Sequence, residues 1–123
     1  MTRPLISIVD DDHSVRESLA RLIRSVGFGV QVFGSAEEFL GAPTGRLADC
    51  LILDIRMPGM SGLDLQEQLA VTDRELPVIF ITAHGSDQGV RARALAAGAV
   101  DYLLKPLSEE EVLHALDAAL SSK

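Results

Sequence analysis

The sequence predicts an α/β domain: a single, doubly wound, five-stranded parallel sheet with helices on both faces. Three observations carry this reading. Short apolar runs alternate with helical patterns five times along the 123 residues, the pattern of strand–helix units that build a parallel sheet. The runs read as buried strands. Four of them end in a polar residue with chemistry, Asp10, Asp54, Thr82 and Lys105, and the carboxyl ends of such strands share the edge where open α/β sheets bind ligands.

Taken in order, the first strand is Leu5–Val9. A helix follows over Ser14–Val26, with Val15, Leu19, Leu22, Ile23 and Val26 on one stripe, and Gly27 stops it. The second strand is Gly29–Phe33. Ser35 and Glu38 have capping-box spacing for a helix over Ala36–Leu40, and Gly41–Gly45 is a loop. The third strand is Cys50–Leu53. A turn over Met57–Gly62 leads into a helix ending at Ala70. The fourth strand is Val78–Thr82. The next helix starts between Asp87 and Val90, runs to Ala97 and stops at Gly98. The fifth strand is Ala99–Leu104. The last helix is Glu109–Ser121, capped by Ser108 and Glu111, and its acidic first turn suits the positive end of the helix dipole.

The length fits one domain, residues 1–123, with one core. An apolar content of 47% and a charged content of 24% are those of a soluble globular protein. There is no internal repeat, low-complexity tract or linker. The chain stops as its last helix ends, which fits a single-domain protein or an excised domain. No apolar run reaches membrane-spanning length, and Met1-Thr2-Arg3-Pro4 lacks a signal-peptide pattern, so a cytoplasmic location is expected. Cys50 is the single cysteine; it opens an apolar run and is expected to be packed, not redox-active. The net charge of -7 would repel DNA phosphates. A role on DNA would need basic surface from another domain or partner, and this domain is expected to bind neither nucleic acid nor membrane.

The strand ends converge on Asp10, Asp11 and Asp54, one hydroxyl (Thr82) and one ammonium (Lys105). Three packed carboxylates repel unless a cation neutralises them. Mg²⁺ takes oxygen ligands and keeps several waters; Ca²⁺ is the weaker option, since no loop matches a dedicated calcium site. Asp12 is the best N-cap for the first helix. Asp54 closes an otherwise apolar strand, where an unused carboxylate is expensive. Carboxylates attack phosphoryl groups to give aspartyl phosphates, a metal offsets charge on the incoming oxygens, and Lys105 can clamp the same oxygens. A cis Lys105-Pro106 bond would be one way to aim Lys105 inward; the sequence leaves the isomer open. His13, His84 and His114 are too scattered for a metal motif. His13 and His84 can reach the pocket rim, whereas His114 reads as a solvated or packing residue. Arg91 and Arg93 make a locally basic helix face, solvated or in an interface salt bridge.

Four motifs together resemble the response-regulator receiver domains of two-component signalling, over essentially the whole chain. They are Ile8-Val9-Asp10-Asp11-Asp12; Leu53-Asp54-Ile55-Arg56-Met57-Pro58-Gly59-Met60-Ser61-Gly62; Ile81-Thr82-Ala83-His84; and Gly98-Ala99-Val100-Asp101-Tyr102-Leu103-Leu104-Lys105-Pro106. The stretch Phe33–Leu40 and the start Thr82-Ala83-His84-Gly85 resemble the FixJ-type subgroup, whose members usually carry a C-terminal helix-turn-helix output domain. The resemblance implies a CheY-like, flavodoxin-like strand order, 2-1-3-4-5. It implies that Asp54 is the phosphoacceptor for a sensor histidine kinase. Asp10, Asp11 or both would hold Mg²⁺ with Asp54 and the backbone carbonyl of Arg56. Thr82 and Lys105 would bind the phosphoryl group, and Tyr102 would be the switch aromatic, turning inward as Thr82 moves toward the phosphate.

One new dianion can bias a domain only if two packings already lie close in energy. The surface of the fourth helix, fifth strand and fifth helix would then change and gain a partner, here a phosphorylation-dependent homodimer. Such a domain regulates transcription through an output domain absent from this chain, or acts alone by docking. It is not an enzyme in the ordinary sense, although its pocket assists its own phosphorylation and hydrolysis. The Thr82–Lys105 interval is about one residue longer than usual for the family, and the extra residue falls in the turn-prone Gly85-Ser86-Asp87-Gln88-Gly89.

Three rival readings fit less well. A flavin phosphate would be repelled by Asp10-Asp11-Asp12. A haloacid-dehalogenase-like phosphatase carries a second aspartate two residues after its nucleophile, where this chain has Arg56, and this chain has no cap domain. A docking-only pseudo-receiver need not keep every pocket residue, and all are present.

Overall fold

The computed structural model describes residues 3–42, 48–72, 76–83 and 88–121. Its strands are β1 (Leu5–Val9), β2 (Gly29–Phe33), β3 (Cys50–Asp54), β4 (Val78–Thr82) and β5 (Asp101–Leu104). Its helices are α1 (His13–Ser25), α2 (Ala36–Gly41), α3 (Gly62–Thr72), α4 (Gln88–Ala96) and α5 (Glu109–Ser121). The strands form one parallel sheet in the order β2-β1-β3-β4-β5.

Side chains alternate across each strand, so the sheet sorts its apolar residues into two cores. Ile6, Ile8, Ile52, Ile79, Ile81 and Leu103 pack with α1 and α5. Val9, Leu51, Leu53, Val78, Phe80 and Tyr102 pack with α2, α3 and α4. Both faces of β3 and β4 are buried, which is why those strands read as unbroken apolar runs. Cys50 is wholly buried and packs in the core. Among the described residues no helix is long and apolar enough to cross a membrane.

Capping chemistry sets most helix starts. Asp12 accepts from the amides of Ser14 (2.9 Å) and Val15 (3.4 Å) at the start of α1, one residue earlier than expected. Ser35 accepts from Glu38 N (3.0 Å), and Glu38 reaches back to Gly34 N (3.2 Å). Ser108 accepts from Glu111 N (3.3 Å). A further reciprocal cap, Ser61 with Asp64 (3.2 Å each way), starts α3.

Several expected boundaries move. Gly27 (φ 97) and Gly98 (φ 101) both take the left-handed conformation and close α1 and α4 with paired bonds back into the last turn. Gly27 N and Phe28 N donate to Arg24 O and Ile23 O; Gly98 N and Ala99 N donate to Leu95 O and Ala94 O. This closure leaves Val26 outside α1 and 45% exposed, not on its buried stripe. It ends α4 at Ala96 instead of Ala97 and ties Ala99 to the helix end, so β5 starts at Asp101 and not at Ala99. The ladder also extends β3 by one residue to Asp54, α2 runs to Gly41, and α3 runs past Ala70 to Thr72. Most of the expected loop Gly41–Gly45 and the segment Gly85–Asp87, where the extra residue was placed, lie outside the described residues; Gln88 and Gly89 open α4.

Candidate functional site

Each strand end carries its side chain one residue beyond the apolar run, and backbone bonds hold these ends in register. Asp10 N donates to Phe33 O (3.2 Å), Ile55 N to Ile81 O (3.2 Å) and Lys105 N to Thr82 O (2.8 Å). The β1–β3 register sets Val9 against Leu53, so Asp10 and Asp54 stand side by side. By the two-residue period, Asp10, Asp54 and Lys105 continue the face of Ile8, Ile52 and Leu103. Thr82 continues the opposite face, that of Phe80. The sheet therefore brings the side chains of Asp10, Asp54 and Lys105 together, and leaves that of Thr82 on the other face, outside the residues that line the cavity.

The arrangement is tight. Carboxylate oxygens of Asp10, Asp11 and Asp54 all lie within 4.8 Å of one another. Asp10 is wholly buried, Asp54 is 4% exposed, and Asp11 is open to solvent. Lys105 Nζ lies 3.0 Å from Asp10 Oδ2 and 3.6 Å from Asp54 Oδ2. Asp10 Oδ2 is buried, and its partner is the ion pair with Lys105, not a hydrogen bond. Asp10 Oδ1 accepts from Asp12 N at 2.8 Å. A cavity of about 250 Å³ opens above the cluster, lined by Asp11, Asp12, Asp54, Arg56, Ala83 and Lys105. The Lys105-Pro106 bond is cis.

This crowding shows in the titration of the groups. Burial first, then the charge of Asp10, pushes the Asp54 carboxyl up to about 7, against the pull of Lys105. Burial works to lower the Lys105 ammonium, but contact with Asp10 and the field of Asp54 outweigh it, and the net shift is upward. An all-oxygen, over-negative cluster in which buried Asp10 Oδ2 has no hydrogen-bond partner is the chemistry a hard divalent cation satisfies.

The β3–α3 turn closes the far side. Gly62 N donates to Ile55 O (2.8 Å), and a Cβ at Gly62 would overlap the Asp54 carbonyl oxygen. Glu37, on the first turn of α2, reaches across to Met60 N (3.0 Å), and that bond holds its carboxyl below the ordinary range.

Of the other residues singled out in the sequence, Thr82 is 1% exposed and Tyr102 is 6% exposed. Tyr102 pairs with Phe80 while Thr82 pairs with Leu104, so the two share a face as diagonal neighbours. Tyr102 is thus a buried aromatic. His13 is exposed, with Nδ1 3.3 Å from Arg16 Nη2, and does not line the cavity. His114 is exposed, and His84 lies outside the described residues. Arg93 pairs with Glu67 of α3 at 3.1 Å, both well exposed. Arg91 lines a separate hollow beside Tyr102 and Leu104.

Sequence reasoning assigned no role to Arg16, nor to Glu37 and Gly62 individually, although the latter two lie in stretches that carry the resemblance. The available signal for Arg16 was a cation in the first turn of a helix that holds no acidic residue there, against the helix dipole.

The family model described as "Response regulator receiver domain" matches residues 6–117. The chain is similar to the response regulator protein TodT of Pseudomonas putida, 49% identical over 116 residues, covering 94% of this chain and 51% of that protein. It is similar to nodulation protein W of Bradyrhizobium diazoefficiens, 48% identical over 118 residues, covering 96% of this chain and 52% of that protein. The chain thus spans about half the length of these curated relatives. Among solved structures it superposes on the crystal structure of FixJ-N with a TM-score of 0.86 at 38% identity, covering 98% of this chain and 96% of that one.

Proposed function

The chain belongs to the response regulator receiver domains of two-component signalling, and from that premise we propose that Asp54 accepts a phosphoryl group from a sensor histidine kinase in a Mg²⁺-dependent reaction. Receiver domains are signalling proteins, not metabolic enzymes. The observation that carries the proposal is the cluster itself: Asp54 is buried at a strand end, within 4.8 Å of the Asp10 and Asp11 carboxylates and 3.6 Å from the Lys105 ammonium.

Asp10, Asp11 and Asp54, with the Arg56 backbone carbonyl, would hold the ion. When bound, Mg²⁺ offsets carboxylate repulsion and draws charge from phosphoryl oxygens. An Asp54 carboxylate oxygen attacks phosphorus; the P–N bond to the donor histidine breaks, and its electron pair stays on the imidazole nitrogen. Lys105 turns from its carboxylate contacts to the incoming oxygens, and Thr82 donates its hydroxyl to one of them. The same pocket assists hydrolysis of the acyl phosphate.

Thr82 and Tyr102 share a face of neighbouring strands, so a shift of Thr82 toward the phosphate changes the packing room of Tyr102. The surface of α4, β5 and α5 is the output face of this reading. It carries the exposed Leu95 and Leu104, and a second phosphorylated copy is its proposed partner. With a net charge of -7 this domain leaves DNA to a C-terminal output domain, through which the whole regulator acts on transcription.

Intact mass after incubation with acetyl phosphate and Mg²⁺ tests the proposal. One phosphoryl adduct on the wild type and none on Asp54→Asn is expected. Equal adducts on both would move the acceptor elsewhere. No adduct on either, even with a phosphorylated kinase as donor, would leave a docking module without phosphotransfer.

A further inference from the structure

Arg16 sits on the first turn of α1, yet its side chain serves the turn before the helix. Nη1 donates to the Asp10 carbonyl oxygen at 2.7 Å. The guanidinium runs alongside Gly34, where a Cβ would stand 3.5 Å from Nη1. Asp10 is thereby tied at three atoms: its N–H on Phe33 O, its Oδ1 on Asp12 N and its carbonyl on Arg16. Oδ2 is left to face Lys105.

We propose that Arg16 is a positioning residue for the divalent-cation site: by holding the Asp10 carbonyl it fixes the β1–α1 turn, and so the directions of the Asp10 and Asp11 carboxylates. The inference rests on the reading of the acidic cluster as a Mg²⁺ site. Charge and geometry predict opposite signs when Arg16 is removed. As a charge, Arg16 repels a second cation, and its loss tightens Mg²⁺ binding. As a positioning group, it keeps two ligands aimed, and its loss weakens binding. Lysine keeps the charge but not the planar fork.

The experiment is the Mg²⁺ dependence of melting temperature for the wild type, Arg16→Met and Arg16→Lys. The value without Mg²⁺ reports the fold, and the concentration dependence reports the dissociation constant. Arg16→Met is expected to melt cooperatively without Mg²⁺ and to bind Mg²⁺ about tenfold more weakly, the cost seen when groups supporting metal ligands are lost, with Arg16→Lys in between. Wild-type or tighter affinity in Arg16→Met overturns the proposal. If Arg16→Met does not fold, Arg16→Lys decides: a weaker affinity at unchanged charge supports positioning, and an unchanged one overturns it. A wild type whose melting ignores Mg²⁺ overturns the reading of the site itself, and this inference with it.

Discussion

Lys105 holds its ammonium 3.0 Å from an oxygen of Asp10 that is wholly buried and accepts no hydrogen bond. The ion pair therefore stands in for a cation that the carboxylates need. Removing it takes away the ammonium that faces both Asp10 and Asp54, and breaking a buried pair on one side is strongly destabilising. Lys105→Met is expected to lose about 3 kcal/mol of stability in chelator and to recover part of it in millimolar Mg²⁺. Denaturant unfolding under both conditions measures this. A variant as stable as the wild type in chelator would mean that the repulsion is relieved by another group.

Asp54 makes the stability of the metal-free protein depend on pH. Its carboxyl is raised from 3.8 to about 7, so between those values the folded chain binds more protons than the unfolded one. The stabilisation from this group is complete below about pH 4 and is lost as pH rises through about 7. Asp54→Asn removes the titration. Without Mg²⁺ the wild type is expected to lose stability more steeply than Asp54→Asn from pH 4 to 7. At pH 8 the variant should be more stable by about 1–2 kcal/mol, a figure already reduced for screening through the open cavity. Parallel pH profiles for the two proteins would remove Asp54 as the source of strain.

The residues of the cluster were legible in the sequence because each follows a buried strand in a sheet whose edge collects such ends. Asp10, Asp54 and Lys105 needed no knowledge of loops, whereas Thr82, read by the same rule, ends its strand on the other face of the sheet. The start of β5 was not legible, because Ala99 is apolar yet is claimed by the closing turn of α4 through Ala94 O. Val26 failed for the same reason at the end of α1. The Ser61–Asp64 cap was visible as a spacing, but the stretch around it read as a turn. Arg16 and Glu37 were hidden for a different reason. Both act on backbone groups, the carbonyl of Asp10 and the amide of Met60, and backbone partners leave no mark in residue identity.

Glu37 gives a prediction separable from the carboxylates of the pocket. Its bond to Met60 N ties α2 to the β3–α3 turn, and the same bond lowers its own carboxyl below 4.5. A depressed acid contributes stabilisation above its unfolded value, lost as pH falls through the lower folded value. Glu37→Ala is therefore expected to speed hydrogen exchange at the Met60 amide at neutral pH, with melting temperature nearly unchanged because the bond is exposed. Equal protection in both proteins would show that the turn holds itself.

Gly62 tests whether that turn sets the position of Asp54. Its amide closes on Ile55 O at 2.8 Å, and a methyl group there would collide with the Asp54 carbonyl oxygen and the Ile55 Cα. These are backbone atoms of a buried strand end, so they cannot step aside as a flexible side chain would. Overpacking of this kind costs about 1–3 kcal/mol, and the shift it forces falls on the residue proposed to carry the phosphoryl group. Gly62→Ala is expected to lower stability by that amount and to slow adduct formation with acetyl phosphate at saturating Mg²⁺. Gly41→Ala is the control: a Cβ at Gly41 meets nothing within 4 Å, and helix propensity favours alanine there. If Gly62→Ala matched that control in both stability and adduct rate, the close approach of α3 to the Asp54 backbone would have no part in shaping the site.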